Sequence, residues 1–256
     1  MVNYMGGTAV PMQLNEETGY NADIDNLRSL ITPRTKLLII NSPNNPCGSV
    51  IPETDLEKIA EIAVENDLVV LTDEIYKDMY YGDQGHVSIT KFPGMRERSI
   101  ILDGFSKSYA MTGWRLGYGI FPEFLVEPVT RLVTNSVSCT SVFSQMAAIA
   151  ALQGPQDSVK AMMEEFTKRR DLIVRGLNSL PGITCPTPQG AFYAFPNIRA
   201  SGMTSKEFAD RALNEAGVAL LAGTSFGAFG DGYIRVSFAN SQENLREAVD
   251  RLRNIL

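Results

Sequence analysis

Three short runs constrain this chain more than any other feature. Lys36-Leu37-Leu38-Ile39-Ile40, Leu68-Val69-Val70-Leu71 and Ser99-Ile100-Ile101-Leu102 are apolar without alternation. A strand covered on one face alternates apolar and polar residues. A run that does not alternate reads as a strand buried on both faces, the mark of a parallel sheet. Parallel neighbours need a crossover, and residues 53–66 supply one, with Leu56, Ile59, Ala60 and Ala63 at helical spacing. The result is a β-α-β unit whose crossover is expected to be right-handed. Upstream, Thr8-Ala9-Val10-Pro11-Met12 also reads as strand-like.

Each run ends in a polar cluster. The first is followed by Asn41-Ser42-Pro43-Asn44-Asn45-Pro46-Cys47-Gly48, the second by Thr72-Asp73-Glu74-Ile75-Tyr76, the third by Asp103-Gly104-Phe105-Ser106-Lys107. Ligands of open α/β sheets bind outside the carboxyl ends of the strands. The pattern therefore delivers Asn45, Asp73, Tyr76 and Lys107 to one edge.

The second half is more helical. Residues 155–180 carry Val159, Met162, Met163, Phe166, Ile173, Val174 and Leu177, a long amphipathic helix with Lys168-Arg169-Arg170 on its solvated face. A strand over 190–195, a helix over 204–216 opened by the capping box Thr204-x-x-Glu207, a strand over 233–238 and a helix from about Ser241 follow. The Gly-rich run 223–232 lacks the strand-to-helix context of a phosphate loop and reads as a turn before Arg235. The predicted class is α/β: a three-layer α/β/α, mainly parallel sheet over 1–154, and a C-terminal α+β small domain over 155–256 that includes the connecting helix. The length of 256 residues allows that division.

Composition excludes several function classes. One His rules out metal sites that need two. Three separated cysteines, Cys47, Cys139 and Cys185, cannot form a four-Cys zinc site, make a disulfide framework unexpected and point to a reducing cytoplasm. A net charge of -6 gives no reason to expect nucleic acid. No apolar stretch is long enough to span a membrane. The opening Met1-Val2-Asn3-Tyr4-Met5-Gly6-Gly7 has no basic region followed by an apolar one, so no signal peptide is expected. His86, in the polar loop Tyr81-Gly82-Asp83-Gln84-Gly85-His86, reads as solvated.

The residues around Lys107 carry a specific resemblance. Ser106-Lys107 is followed, eight residues after the lysine, by the Arg115 of Gly113-Trp114-Arg115-Leu116-Gly117-Tyr118. Together with Asn45-Pro46-Cys47-Gly48, Asp73-Glu74-Ile75-Tyr76 and Tyr233-Ile234-Arg235-Val236, in that order, this resembles the fold-type-I pyridoxal 5'-phosphate (PLP) enzymes, specifically the class I/II aminotransferases. The resemblance covers essentially the whole chain. It implies that Lys107 forms the Schiff base with PLP and then acts as base at the substrate's α-carbon. It implies that Asp73 sits beside the pyridine nitrogen, and that Tyr76 and Asn45 hydrogen-bond the phenolic oxygen. Arg115 and Ser106 would take the phosphate. Arg235, with Asn45 beside it, would hold the α-carboxylate, since a charge buried in a strand needs a partner; the lesser alternative is a solvent-facing arginine of an edge strand. Gly104 stands where many relatives have a serine, and Cys47 where they often have a threonine. Cys47 reads as a small packing residue.

The implied activity is amino-group transfer between an amino acid and a 2-oxo acid, by a cytoplasmic homodimer. A PLP-dependent β-eliminating C–S lyase uses the same Lys, Asp and Arg. A non-catalytic aminotransferase-like sensor domain of a transcription regulator is a third reading. Asn135 to Ser141 is the expected cross-subunit contribution. Relative to the family, this chain lacks the N-terminal third, with its phosphate-cradling turn and two strands. A gap in the sheet, exposed apolar strand borders and weak PLP binding by the 256-residue chain alone are expected.

Overall fold

The computed structural model describes residues 2–83 and 85–256. Met1 and Gln84, which belong to the opening segment and the His86 loop read above, lie outside the described residues. Seven α-helices and seven strands follow one another along the described chain: α1 (Ile24–Leu30), β1 (Leu37–Asn41), α2 (Glu53–Glu65), β2 (Val69–Asp73), β3 (Ser99–Gly104), β4 (Gly117–Ile120), α3 (Glu123–Ser136), α4 (Val142–Gln153), α5 (Asp157–Asn178), β5 (Tyr193–Ala194), α6 (Ser205–Asn214), β6 (Leu221–Ala222), β7 (Ile234–Ser237) and α7 (Gln242–Arg253). The class is α/β, with a mainly parallel sheet and a second, small antiparallel one.

The large sheet runs β1-β2-β3-β4. The three apolar runs are its parallel strands, in the register Leu37 to Val69 and Val70 to Ser99, and β4 closes it antiparallel. Helix α2 is the crossover. Its apolar stripe of Leu56, Ile59, Ile62 and Ala63 packs with Ile40, Val70 and Met95 into a closed core. The opposite face carries Leu37 and Ile39 at 42% and 54% exposure and Leu102 at 36%. Helices α3 and α4 likewise expose Phe124, Leu132, Phe143 and Met146. One apolar face of the sheet is thus exposed, and no gap opens within the four described strands, because each hydrogen-bonds the next.

The small sheet, β5-β7-β6, is antiparallel throughout. Its core joins α5, α6 and α7 through Phe166, Leu177, Phe208, Ile234, Phe238 and Leu252, and extends to Tyr76 and Met79 from beyond β2. The capping box is formed: the Thr204 side chain accepts from the Glu207 amide, and Glu207 accepts from the Thr204 amide.

Two local readings need correction. Thr8–Met12 is not a strand: no neighbour pairs with it, and Pro11 lacks the amide donor a ladder needs. His86 is not solvated. Its side chain is 10% exposed and its Nε2 lies 3.1 Å from Glu74 Oε2, a charge contact that is not aligned as a hydrogen bond.

Candidate active site

The site lies where β1, β2 and β3 end, facing the small sheet. The turn after β1 is fastened by Asn41, whose Oδ1 accepts from the Asn45 amide at 2.8 Å while its Nδ2 donates to the Asp73 carbonyl at 2.9 Å. One side chain therefore sets Asn45 relative to Asp73. Gly48 closes the same turn at φ +68°. A Cβ there would stand 2.9 Å from the Tyr193 carbonyl oxygen, so the turn approaches β5 this closely only with glycine.

Asp73 ends β2, and its Oδ1 accepts from the Ile75 amide at 3.1 Å. Burial raises its carboxyl above the usual aspartate range, helped by the charges of Asp103 and Glu74 and opposed by the Ile75 hydrogen bond and the charge of Lys107. Tyr76, one turn on, is buried, and its hydroxyl lies 3.1 Å from that of Tyr193. Lys107 reaches two aromatic rings that meet edge to face, its Nζ 5.6 Å from the Tyr76 ring centroid and 5.3 Å from that of Phe192. Such placement suits a cation.

Arg235 lies on β7, the central strand of the small sheet, which removes the edge-strand alternative. Its Nη1 donates to Asn45 Oδ1 at 2.9 Å. Its guanidinium stacks 4.3 Å from the Tyr193 ring centroid and 4.9 Å from that of Phe226. Its Nε is buried without a partner among the described residues. A buried guanidinium N–H left unpaired is a site prepared for an anion.

Asn45, Asp73, Tyr76, Lys107 and Arg235 therefore converge. Arg115 and Ser106 are not hydrogen-bonded to that cluster. Arg115 is exposed at φ +52°, and its Nη1 donates to the Thr112 carbonyl at 2.9 Å. It borders an open groove of about 700 Å³ lined also by Trp114, Val137, Cys139, Thr140 and Phe143. That groove contains much of the Asn135–Ser141 stretch. Ser106 is half-buried beside Lys107. Gly104 packs closely on β4: a Cβ there would stand 3.0 Å from Gly117 Cα and 3.1 Å from the Leu116 carbonyl oxygen, so a serine would need β4 to give by a few tenths of an ångström. Cys47 packs against the cluster of Tyr20, Phe195 and Tyr233, and burial pushes its thiol up to about 12.

The chain matches the family model "Aminotransferase class I and II" over residues 1–252. It belongs to this family. It is 44% identical to an aspartate aminotransferase of Pyrococcus abyssi over 253 residues, 98% of this chain and 65% of the relative. It is 42% identical to aromatic-amino-acid aminotransferase 2 of Thermococcus litoralis, again over 98% of this chain and 65% of that protein. The crystal structure of an aromatic aminotransferase from Pyrococcus horikoshii superposes with a TM-score of 0.96 at 42% identity, covering 100% of this chain and 69% of that one. The chain thus spans about two thirds of the length of its relatives. Class I/II aminotransferases are PLP-dependent, and the donor set fits that cofactor: a lysine amine against two aromatic rings, a carboxylate and a phenol beside it, and a guanidinium N–H without a partner among the described residues.

Sequence reasoning missed three residues that shape this aminotransferase site. Asn41 was legible as an asparagine at a strand end. Tyr193 lies in the segment 190–195, which reads in sequence as a strand. Phe226, in a Gly-rich turn, carried no signal.

Below the site, Glu74 is a buried carboxylate. Burial pushes it up, but the His86, Ser88 and Thr72 side chains outweigh that and hold it below the usual glutamate range. A depressed carboxylate contributes stability above its unfolded pKa and loses it as pH falls through the folded one. Glu74→Ala is expected to cost about 3 kcal/mol at pH 7 and less at acid pH, read by urea unfolding at both. An equal cost at both pH values would contradict the assignment.

Proposed function

We propose that this chain carries the catalytic core of a PLP-dependent aminotransferase that moves an amino group between an amino acid and a 2-oxo acid. The observation that carries this reading is the convergence of Lys107, Asp73, Tyr76 and Asn45 with the unpaired guanidinium N–H of Arg235. When bound, PLP supplies an aldehyde carbon and a cationic ring that draws electrons from the substrate's α-carbon. Lys107 gives the amine that holds the aldehyde carbon, and once free it takes and returns the α-proton. Asp73 keeps a proton on the ring nitrogen. Tyr76 and Asn45 donate to the phenolic oxygen. Arg115 and Ser106 would receive the phosphate. Arg235 orients the substrate through its α-carboxylate, with Asn45 fixing the guanidinium plane.

Residues 1–154 would form the cofactor domain and 155–256 the small domain that brings Arg235. Exposed apolar side chains on α3 and α4 support a homodimer. The separated cysteines support a cytoplasmic location, and no described helix is long and apolar enough to cross a membrane. The reading is tested by supplying the PLP-loaded enzyme with an amino acid and a 2-oxo acid. One new amino acid should form for each one consumed. Release of pyruvate and ammonia without an acceptor would instead indicate the lyase.

A further inference from the structure

We propose that Tyr193 is a positioning residue that ties the Tyr76 hydroxyl, on the cofactor side of the site, to the Arg235 guanidinium on the carboxylate side. This inference rests on the aminotransferase reading above. Tyr193 begins β5 and is buried at 6% exposure, and Tyr76 at 3%. Two separate parts of the side chain are engaged. The hydroxyl lies 3.1 Å from the Tyr76 hydroxyl, and the ring lies 4.3 Å beneath the Arg235 guanidinium. The two tyrosine rings meet edge to face, 5.9 Å apart at 84°.

The segment bearing Tyr193 is fixed from both sides. The Ala191 amide donates to the Met79 carbonyl at 2.8 Å, and the Gly190 amide to the Gly48 carbonyl at 2.9 Å. Tyr81 donates its hydroxyl to the Ala191 carbonyl at 2.6 Å. Ala191 itself is buried at φ +56°, a left-handed conformation an alanine adopts only when its surroundings impose it. Tyr193 is therefore held against the turns that carry Tyr76 and Asn45, while β5 pairing with β7 holds it beside Arg235.

The hydroxyl pair has a direction. Each phenol has one proton to give. If Tyr76 donates to the cofactor's phenolic oxygen, its own oxygen is left to accept, and Tyr193 is the donor beside it. Burial keeps the Tyr76 hydroxyl well above the ordinary tyrosine range, so it remains a protonated donor. A donor into Tyr76 makes it a better donor in turn. The charged groups that face this pair are Asp73 and Arg235, with the Lys107 amine over the Tyr76 ring.

The test uses the PLP-loaded enzyme with Tyr193→Phe and Tyr193→Leu. Two quantities are read: the pH midpoint of the bound cofactor's visible absorbance, and the affinity for succinate, a non-reacting carboxylate. Tyr193→Phe should move the midpoint upward by about one pH unit, the effect of one hydrogen bond on an ionising group. It should leave succinate affinity within about twofold, because the ring under Arg235 remains. Tyr193→Leu should move the midpoint equally and weaken succinate by about tenfold. If the leucine variant does not fold, the isosteric Tyr193→Phe midpoint decides alone. An unmoved midpoint in Tyr193→Phe, or equal loss of succinate in both variants, would overturn the assignment. Absence of a visible cofactor band in the unsubstituted enzyme at saturating PLP would contradict the aminotransferase reading itself, and this inference with it.

Discussion

Replacing Lys107 with alanine is expected to lower amino-group transfer by at least about 10⁴-fold, the upper range for loss of a general base, with the covalent hold on the cofactor lost as well. The effect should be chemical and not structural. Among the described residues the Lys107 amine touches the Tyr76 and Phe192 rings and forms no ion pair. Removing it costs about 1 kcal/mol of cation–π contact, a shift of a few degrees in Tm. Unfolding curves that nearly overlay, beside turnover that vanishes, are the expected pair of results. Retained turnover in Lys107→Ala would remove the residue from the mechanism.

Asp73→Asn should move activity and stability in opposite directions. The carboxylate is asked to hold a proton on the cofactor ring, and loss of such a preorganised charge costs about 10²- to 10³-fold in kcat. In the cofactor-free protein the same carboxylate is a burden. Burial raises its pKa, so the folded state binds a proton more tightly than the unfolded chain does. Its favourable contribution is complete below the unfolded pKa and is lost as pH rises through the folded one. At neutral pH the cofactor-free Asn variant should therefore melt higher than the parent, while the loaded variant is nearly inactive. That opposition is the usual sign of a charge kept for function. A variant that melts lower and keeps its activity would show Asp73 to be a structural cap.

Much of the fold was legible because apolar runs and helical stripes mark its elements, although burial on both faces, read from the unalternated runs, is not met at Leu37, Ile39 and Leu102. The three unalternated runs are β1, β2 and β3, and α2 falls between them within a residue of its expected span. Helices α5, α6 and α7 follow their apolar stripes and caps. What escaped has physical reasons. Strand β4 is four residues with two glycines, inside a stretch that reads as a loop motif. Helix α3 contains Pro128, a residue that argues against a helix interior, and α4 is apolar nearly all round and shows no clear stripe. Thr8–Met12 has strand-forming residues but no neighbour, and a strand exists only in a pair.

The site divides in the same way. Asn45, Asp73, Tyr76 and Lys107 were readable because strand ends in an α/β sheet meet at one edge. Arg235 was readable as a charge inside a strand. The meeting of Tyr193 with both Tyr76 and Arg235 joins segments more than a hundred residues apart, and no local spacing encodes it. His86 was misread because a polar loop looks solvated in sequence, whereas Glu74 draws this one inward.

The central claim is that Lys107 is the residue that holds PLP. Borohydride reduction of the loaded enzyme fixes the cofactor to its lysine, and peptide mass mapping then locates it. The reduced cofactor mass should appear on the peptide containing Lys107 and on no other. Its appearance on a different lysine, or on none, would contradict the account.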